Sequence, residues 1–261
     1  MVKLGIIQTC SFSSNEQGIN KVSKMLEGLG RKEVDIVCLP EQWLKDNRIS
    51  KFEKEFVDFK IIAKDYDMTI IPGAFYERKD YRFTISSPVI GPKGEIIGQQ
   101  EKIHPFDYEK KLIRSGGKTK IFKTKCKFGI LICYDVVFPD VAHSFVKKGA
   151  DVLFSPSRII RRGVAPWHMY VQVRALENRV PILAVNVQNQ RFGGKSVIID
   201  LIEKEGVMIP KMVVLPQRKN ASYTLIPDFQ KQKMKLNKFN KAEVQSNLKY
   251  HNKKSQLKQL M

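Results

Sequence analysis

Two short runs without a polar residue, Val152-Leu153-Phe154 and Leu183-Ala184-Val185, constrain this chain most. A strand with one face in water alternates apolar and polar residues, so an unbroken apolar run belongs to a strand covered on both faces. Each run therefore calls for one layer above it and another below. Between them, Val164, Trp167, Val171, Ala175 and Leu176 recur at helical spacing, an apolar stripe that predicts a helix over 164–179.

The rest of the chain repeats the theme. Apolar strands are expected at 2–8, 34–39, 68–75, 83–90, 95–101, 127–133, 151–155, 181–187, 195–200 and 212–215. Further helices are expected at 16–30, 51–66 and 140–148. Gly91-Pro92-Lys93-Gly94, flanked by apolar residues, has the turn chemistry of a hairpin. Mixed strand–helix order with several hairpin-like pairs predicts an α+β layered sandwich rather than a doubly wound sheet. No repeat or Ser/Gly-rich linker divides residues 1–226, which read as one domain. Residues 227–261 read as a basic, partly helical extension whose sparse apolar residues, such as Phe229 and Leu236, need a larger surface to pack on.

Charge narrows the partners. Half of the net +20 falls in residues 211–261, where twelve Lys or Arg face only Asp228 and Glu243. Lysine dominates there, without the arginine or aromatic spacing of a reading surface. A solvated tail is expected, with non-specific attraction to polyanions but no dedicated nucleic-acid site. No apolar run approaches the ~20 residues needed to span a bilayer. No basic-then-apolar leader precedes the first strand, so a cytoplasmic protein is expected. Cys10, Cys38, Cys126 and Cys133 show neither CxxC spacing nor a metal pattern, and in a reducing compartment a thiol stays free.

Three strand ends carry chemistry. The apolar run 129–132 ends at Cys133, followed by a short turn and a helical stretch after Pro139. That layout presents a sulfur at a sheet edge near backbone N–H groups, although free cysteines are commonly inert core residues. The run 35–39 stops at Pro40 and delivers Glu41, and the strand 95–101 delivers Lys102. Singly, Glu41 reads as a helix-initiating acid and Lys102 as a solvated lysine. Together with Cys133 they can converge at one rim of a sheet. His104 and His168 offer a competing Cys–His arrangement, and His143 sits on an expected helix face.

Leu39-Pro40-Glu41, Glu101-Lys102-Ile103-His104, and Cys133-Tyr134-Asp135 with Phe138-Pro139-Asp140 resemble the three signature segments of the nitrilase superfamily of carbon–nitrogen hydrolases. Trp167, Arg174-Ala175-Leu176-Glu177-Asn178, Ala184-Val185-Asn186 and Gly194–Asp200 resemble the segments that follow. The resemblance covers residues 1 to about 215 and implies a four-layer α-β-β-α sandwich and a homodimer or larger assembly. It makes Cys133 the nucleophile, Glu41 the general base and Lys102 the cationic stabiliser. Glu109 is the candidate for a further family glutamate, with an exposed turn at 108–111 as the alternative.

The residue types suit that chemistry. A neighbouring ammonium favours the thiolate, and a carboxylate can carry the proton from thiol to leaving amine. Lys102 and the Tyr134 backbone N–H can hold the oxyanion. No metal or organic cofactor is expected. Many relatives carry arginine in the turn after the cysteine, where this chain has Val136 and Val137. Arg158, with Arg161 and Arg162 beyond it, can instead pair a substrate carboxylate, and Trp167 joins Arg158 as a substrate-binding candidate. The expected substrate is a small ω-amido or carbamoyl acid. A nitrile, or an idle member binding polyanions through its tail, are the alternatives. The segment 201–206 is expected to form a variant hairpin without catalytic meaning.

Overall fold

The computed structural model describes residues 1–79, 81–217 and 221–228. The first sheet comprises β1 (Leu4–Gln8), β2 (Ile36–Cys38), β3 (Arg48–Ile49), β4 (Thr69–Ile71), β5 (Phe75–Lys79), β6 (Arg82–Ile90), β7 (Ile96–Glu101) and β14 (Ala221–Leu225). They run in the order β14-β1-β2-β4-β6-β5-β3, with β7 also paired to β6. The second sheet comprises β8 (Phe122–Lys123), β9 (Lys127–Ile130), β10 (Val152–Ser157), β11 (Ile182–Asn186), β12 (Val197–Lys204) and β13 (Val207–Val214), in the order β13-β12-β11-β10-β9-β8. The helices are α1 (Asn15–Gly30), α2 (Phe52–Glu55), α3 (Val57–Asp65), α4 (Pro139–Lys147) and α5 (Val164–Asn178). Parallel neighbours β1-β2-β4 and β9-β10-β11 lie central, and antiparallel pairs extend each sheet outward.

The apolar runs explain the layering. Leu4 and Ile6 of β1, Ile36 of β2, Val152 and Phe154 of β10, and Leu183 and Val185 of β11 pack sheet against sheet. The intervening residues Ile7 and Val37 face α1 and α3, meeting Val22, Leu26 and Phe59. Leu153, Ile182 and Ala184 face α4 and α5, meeting Phe145, Trp167 and Val171. Because side chains alternate along a strand, one apolar run serves two cores. Three cores separate four layers, α-β-β-α.

Several boundaries differ from the sequence reading. The helix expected over 51–66 breaks at Phe56, which leaves helical geometry (φ −109°, ψ 37°) and packs fully buried between Phe52 and Phe59. The strand expected over 68–75 is cut at Pro72-Gly73 and resumes as β5. The strand expected over 127–133 stops at Ile130. The hairpin around 201–206 forms as β12–β13, closed by Glu205 and Gly206 at positive φ. β14 carried too weak an apolar pattern to be read, yet it pairs with the whole of β1. From residue 229 onward the expected C-terminal extension lies outside the described residues. Among the described residues no helix is long and apolar enough to cross a membrane.

Gly73 has a specific duty. It sits at φ +109°, and a Cβ there would collide with the carbonyl oxygen of Pro40, one residue before Glu41. A Gly73→Ala variant should lose about 2–3 kcal/mol of stability through strain and displacement of the Pro40 loop. Thermal unfolding reads this directly, and an unchanged Tm would show that the two loops need no close approach.

Candidate active site

Each strand end is held by its own backbone contacts. Beyond β2, the Leu39 N–H donates to Ile71 O (2.9 Å), and Glu41 forms a parallel bridge with Ala74. The Glu41 N–H reaches across to Ser157 O of the second sheet (3.3 Å). Beyond β7, the Lys102 N–H donates to Ile85 O (2.8 Å) and the Gly116 N–H to Lys102 O (2.7 Å). Beyond β9, Leu131 donates to Phe154 O (2.8 Å), and the chain then leaves the ladder for a 3₁₀ turn, Cys133–Val137. Cys133 opens that turn at φ +49°, an unfavourable conformation for a residue with a side chain. A sharp strand-to-helix turn of this kind pushes the side chain out of the sheet edge.

Asp135 and Arg174 hold the strained turn. The Asp135 carboxylate accepts from the N–H of His104 (2.7 Å), Ile132 (3.2 Å) and Ile103 (3.3 Å), tying the turn to the loop after Lys102. From α5, Arg174 donates through Nε to Val136 O (2.9 Å) and through Nη2 to Val137 O (2.8 Å). Glu177 steadies the same guanidinium at 2.9 Å. Val136 and Val137 thus receive an arginine's grip from another element.

Glu41, Lys102, Glu109 and Cys133 meet at a buried point, each less than a tenth exposed. Lys102 Nζ donates to Glu41 Oε1 (2.9 Å) and lies 2.8 Å from Glu109 Oε2. Glu109 Oε2 also accepts from the Phe106 N–H (2.7 Å), so Glu109 is part of the buried cluster and not an exposed turn residue. Burial opposes the charge on Lys102, but Glu41, Cys133 and Glu109 outweigh it and hold the ammonium well above its usual range. Burial and then the Glu41 carboxylate raise the Glu109 carboxyl, with Lys102 opposing. Burial, followed by Glu41, pushes the Cys133 thiol well up, while Lys102 and the Arg158 backbone N–H pull the other way. Burial and the neighbouring Glu41 therefore favour the thiol form of Cys133.

This point forms the floor of a cavity of about 560 Å³. Arg158 lines it half-buried, its Nη1 donating to Gln42 Oε1 (2.7 Å) and its guanidinium 4.4 Å from the Phe192 ring centre. Its Nε has no hydrogen-bond partner among the described residues. Arg162 reaches the rim, whereas Arg161 lies outside and bonds Asn189 O (3.1 Å). Trp167 lines the cavity from α5, almost wholly buried. Tyr134 lines the wall edge-on to Phe106 and Phe138. His104 stacks on Phe138 (3.6 Å) beside Asp135, outside the cavity lining, and the Asp135 carboxylate raises its pKa against the effect of burial. His168 bonds Lys195 O (2.7 Å), and His143 is exposed on α4. Among the described residues, no histidine lines the wall beside Cys133.

The sequence reading did not single out Gln42, Arg191 or Phe192. The signal for Gln42 was its place next to Glu41. Arg191 and Phe192 lie on a loop with no local pattern to mark them.

Comparison with known proteins agrees with the geometry. A family model described as carbon–nitrogen hydrolase matches residues 3–204. The chain is 26% identical over 198 residues to the omega-amidase NIT2 of Xenopus tropicalis, covering 68% of this chain and 71% of that one. It is 30% identical over 217 residues to a nitrilase of Pyrococcus abyssi, covering 76% and 81%. Its fold is similar to the crystal structure of a carbon–nitrogen hydrolase from Helicobacter pylori, with a TM-score of 0.79, 19% identity and 97% coverage of each chain. The chain belongs to the carbon–nitrogen hydrolase family, within the nitrilase superfamily.

Proposed function

We propose that this hydrolase cleaves the C–N bond of a small amide through a thioester on Cys133. One observation carries the reading: a thiol, a carboxylate and an ammonium from three separate strand ends share a buried floor beneath an open cavity. The Cys133 sulfur attacks the amide carbon as its proton passes to Glu41, and a C–S bond forms. Lys102 and the Tyr134 N–H stabilise the oxyanion. The C–N bond breaks as Glu41 returns the proton to the departing ammonia or amine. Water, deprotonated by Glu41, then attacks the thioester, releasing the acid and restoring the thiol. Glu109 keeps Lys102 charged and aimed.

Ammonia release from a panel of amides, ω-amido acids, carbamoyl compounds and nitriles tests the reading. Cys133→Ala should lose more than about 10³-fold in turnover. Equal turnover by that variant removes Cys133 from the reaction. A nitrile turned over faster than every amide would make the protein a nitrilase instead.

Arg158 supports an acidic substrate. Its guanidinium is oriented by Gln42 and Phe192 and has donor capacity left over. A carboxylate on the substrate would pair with it. The names of relatives, omega-amidase among them, fit an amide that carries an acid group. Arg158→Ala should raise KM for acidic amides by roughly tenfold or more, with little effect on neutral ones. An unchanged KM for every acidic amide tested would remove this role.

A further inference from the structure

Three arginines line the cavity, and the reading of an acidic amide uses only Arg158. Arg162 stands on the segment after β10, and Arg191 on the loop after β11. Both are exposed, whereas Arg158 is half-buried and Cys133 is buried on the floor. Exposure therefore orders these groups by depth: the thiol, then Arg158, then two guanidiniums at the mouth.

The two segments that carry the arginines are joined to each other. Ile160 and Phe192 form an antiparallel bridge, the Arg161 N–H donates to Arg191 O (3.2 Å), and the Gly193 N–H donates to Ile159 O (3.0 Å). Asn189 Oδ1 fixes the turn by accepting from the N–H of Arg191 (2.9 Å) and of Phe192 (2.8 Å). The buried Phe192 ring then serves two cations, Arg158 at 4.4 Å and Arg191 at 5.6 Å from its centre.

Like charges gathered on one wall repel, and the protein does not answer them. Among the described residues, none of the three arginines pairs with a carboxylate. The acids of the cavity are Glu41 and Glu109, which hold Lys102, and Asp107 on the turn that carries Glu109. An anion at the mouth relieves the repulsion and is drawn inward by it. The volume of about 560 Å³ lies in the range of sites for drug-sized ligands, and leaves room beyond a simple ω-amido acid.

We propose that Arg162 and Arg191 form a second anion subsite at the mouth, so that the substrate is an amide with two acid groups. The amide carbon lies at the floor, the first acid group on Arg158, and the second further out along the molecule. The inference rests on the amide-hydrolase reading of the floor and on the role given there to Arg158.

The test is calorimetric titration of Cys133→Ala, which reads binding without turnover, with two primary amides of matched shape. N-acetylglutamine carries one acid group, and N-succinylglutamine carries a second beyond it. The two-acid amide should bind about fivefold tighter or more. Adding Arg162→Gln together with Arg191→Gln should reduce that preference to under about twofold and leave the affinity for N-acetylglutamine in place. Arg31→Gln with Lys32→Gln removes the same charge at the exposed end of α1, outside the cavity, and should keep the preference. Equal affinity for the two amides, a preference that survives loss of Arg162 and Arg191, or an equal loss in the α1 variant overturns the proposal. Ammonia release by wild type against Cys133→Ala decides the reaction, and Arg158→Ala decides the first acid group, so these readings fail separately from this one.

Discussion

Glu41→Gln is expected to lower amide turnover by about 10²–10⁴-fold while the protein stays folded. The substitution keeps the shape and leaves an oxygen to accept from Lys102, which still pairs with Glu109 at 2.8 Å. What disappears is a group able to take the thiol proton. The same change should make the sulfur easier to ionise, because Glu41 is among the influences that hold the Cys133 thiol up. Alkylation of Cys133 should therefore set in at lower pH in the variant even as turnover falls. These opposite movements separate loss of a base from general damage to the site. Parallel loss of both, or full turnover in the variant, removes Glu41 from proton transfer.

Lys102→Met is expected to cost about 3–5 kcal/mol of stability near pH 8. It leaves two carboxylates, Glu41 and Glu109, buried and facing each other without the ammonium that lay between them. The deficit should shrink as pH falls. Lys102 has a raised pKa in the folded protein, so its own contribution is fully present below about 10.5 and stays level from pH 8 to pH 5. The Glu109 carboxyl is raised by burial and then by Glu41, and the substitution removes the Lys102 ammonium that opposes the rise. The folded variant therefore binds more protons there than the unfolded chain, so its stability should rise as pH drops toward about 4.3. Urea unfolding of wild type and variant at pH 5 and pH 8 measures the difference. Equal stability at both values would mean that Lys102 does not hold the two acids together. Turnover should also fall steeply, since the oxyanion loses its cation.

Much of the fold was legible because it depends on short-range pattern. The unbroken runs at 152–154 and 183–185 required strands covered on both faces, and side-chain alternation turned them into the middle layers of a sandwich. Less was legible where neighbours far along the chain decide. Phe56 breaks a plausible helix because burying its ring against Phe52 and Phe59 outweighs one continuous ladder. β14 exists because β1 offers it a full edge, a reason invisible in its own residues.

The site divides the same way. That Glu41, Lys102 and Cys133 each end a strand follows from Pro40, from the polar exit of β7 and from the turn after Ile132, all local features. That they meet is a property of the packed sheets. Glu109 looked equally able to be exposed until Lys102 drew it in. Gln42 and Arg158 pair across 116 residues of sequence. Arg174 grips Val136 and Val137 from a helix that no local rule connects to that turn. Sequence alone determined which chemical groups stand at the strand ends, because periodicity and turn residues act within a few positions. Only the tertiary structure decided what surrounds each group, and therefore its protonation, since burial and opposite charge come from residues that are distant in the chain.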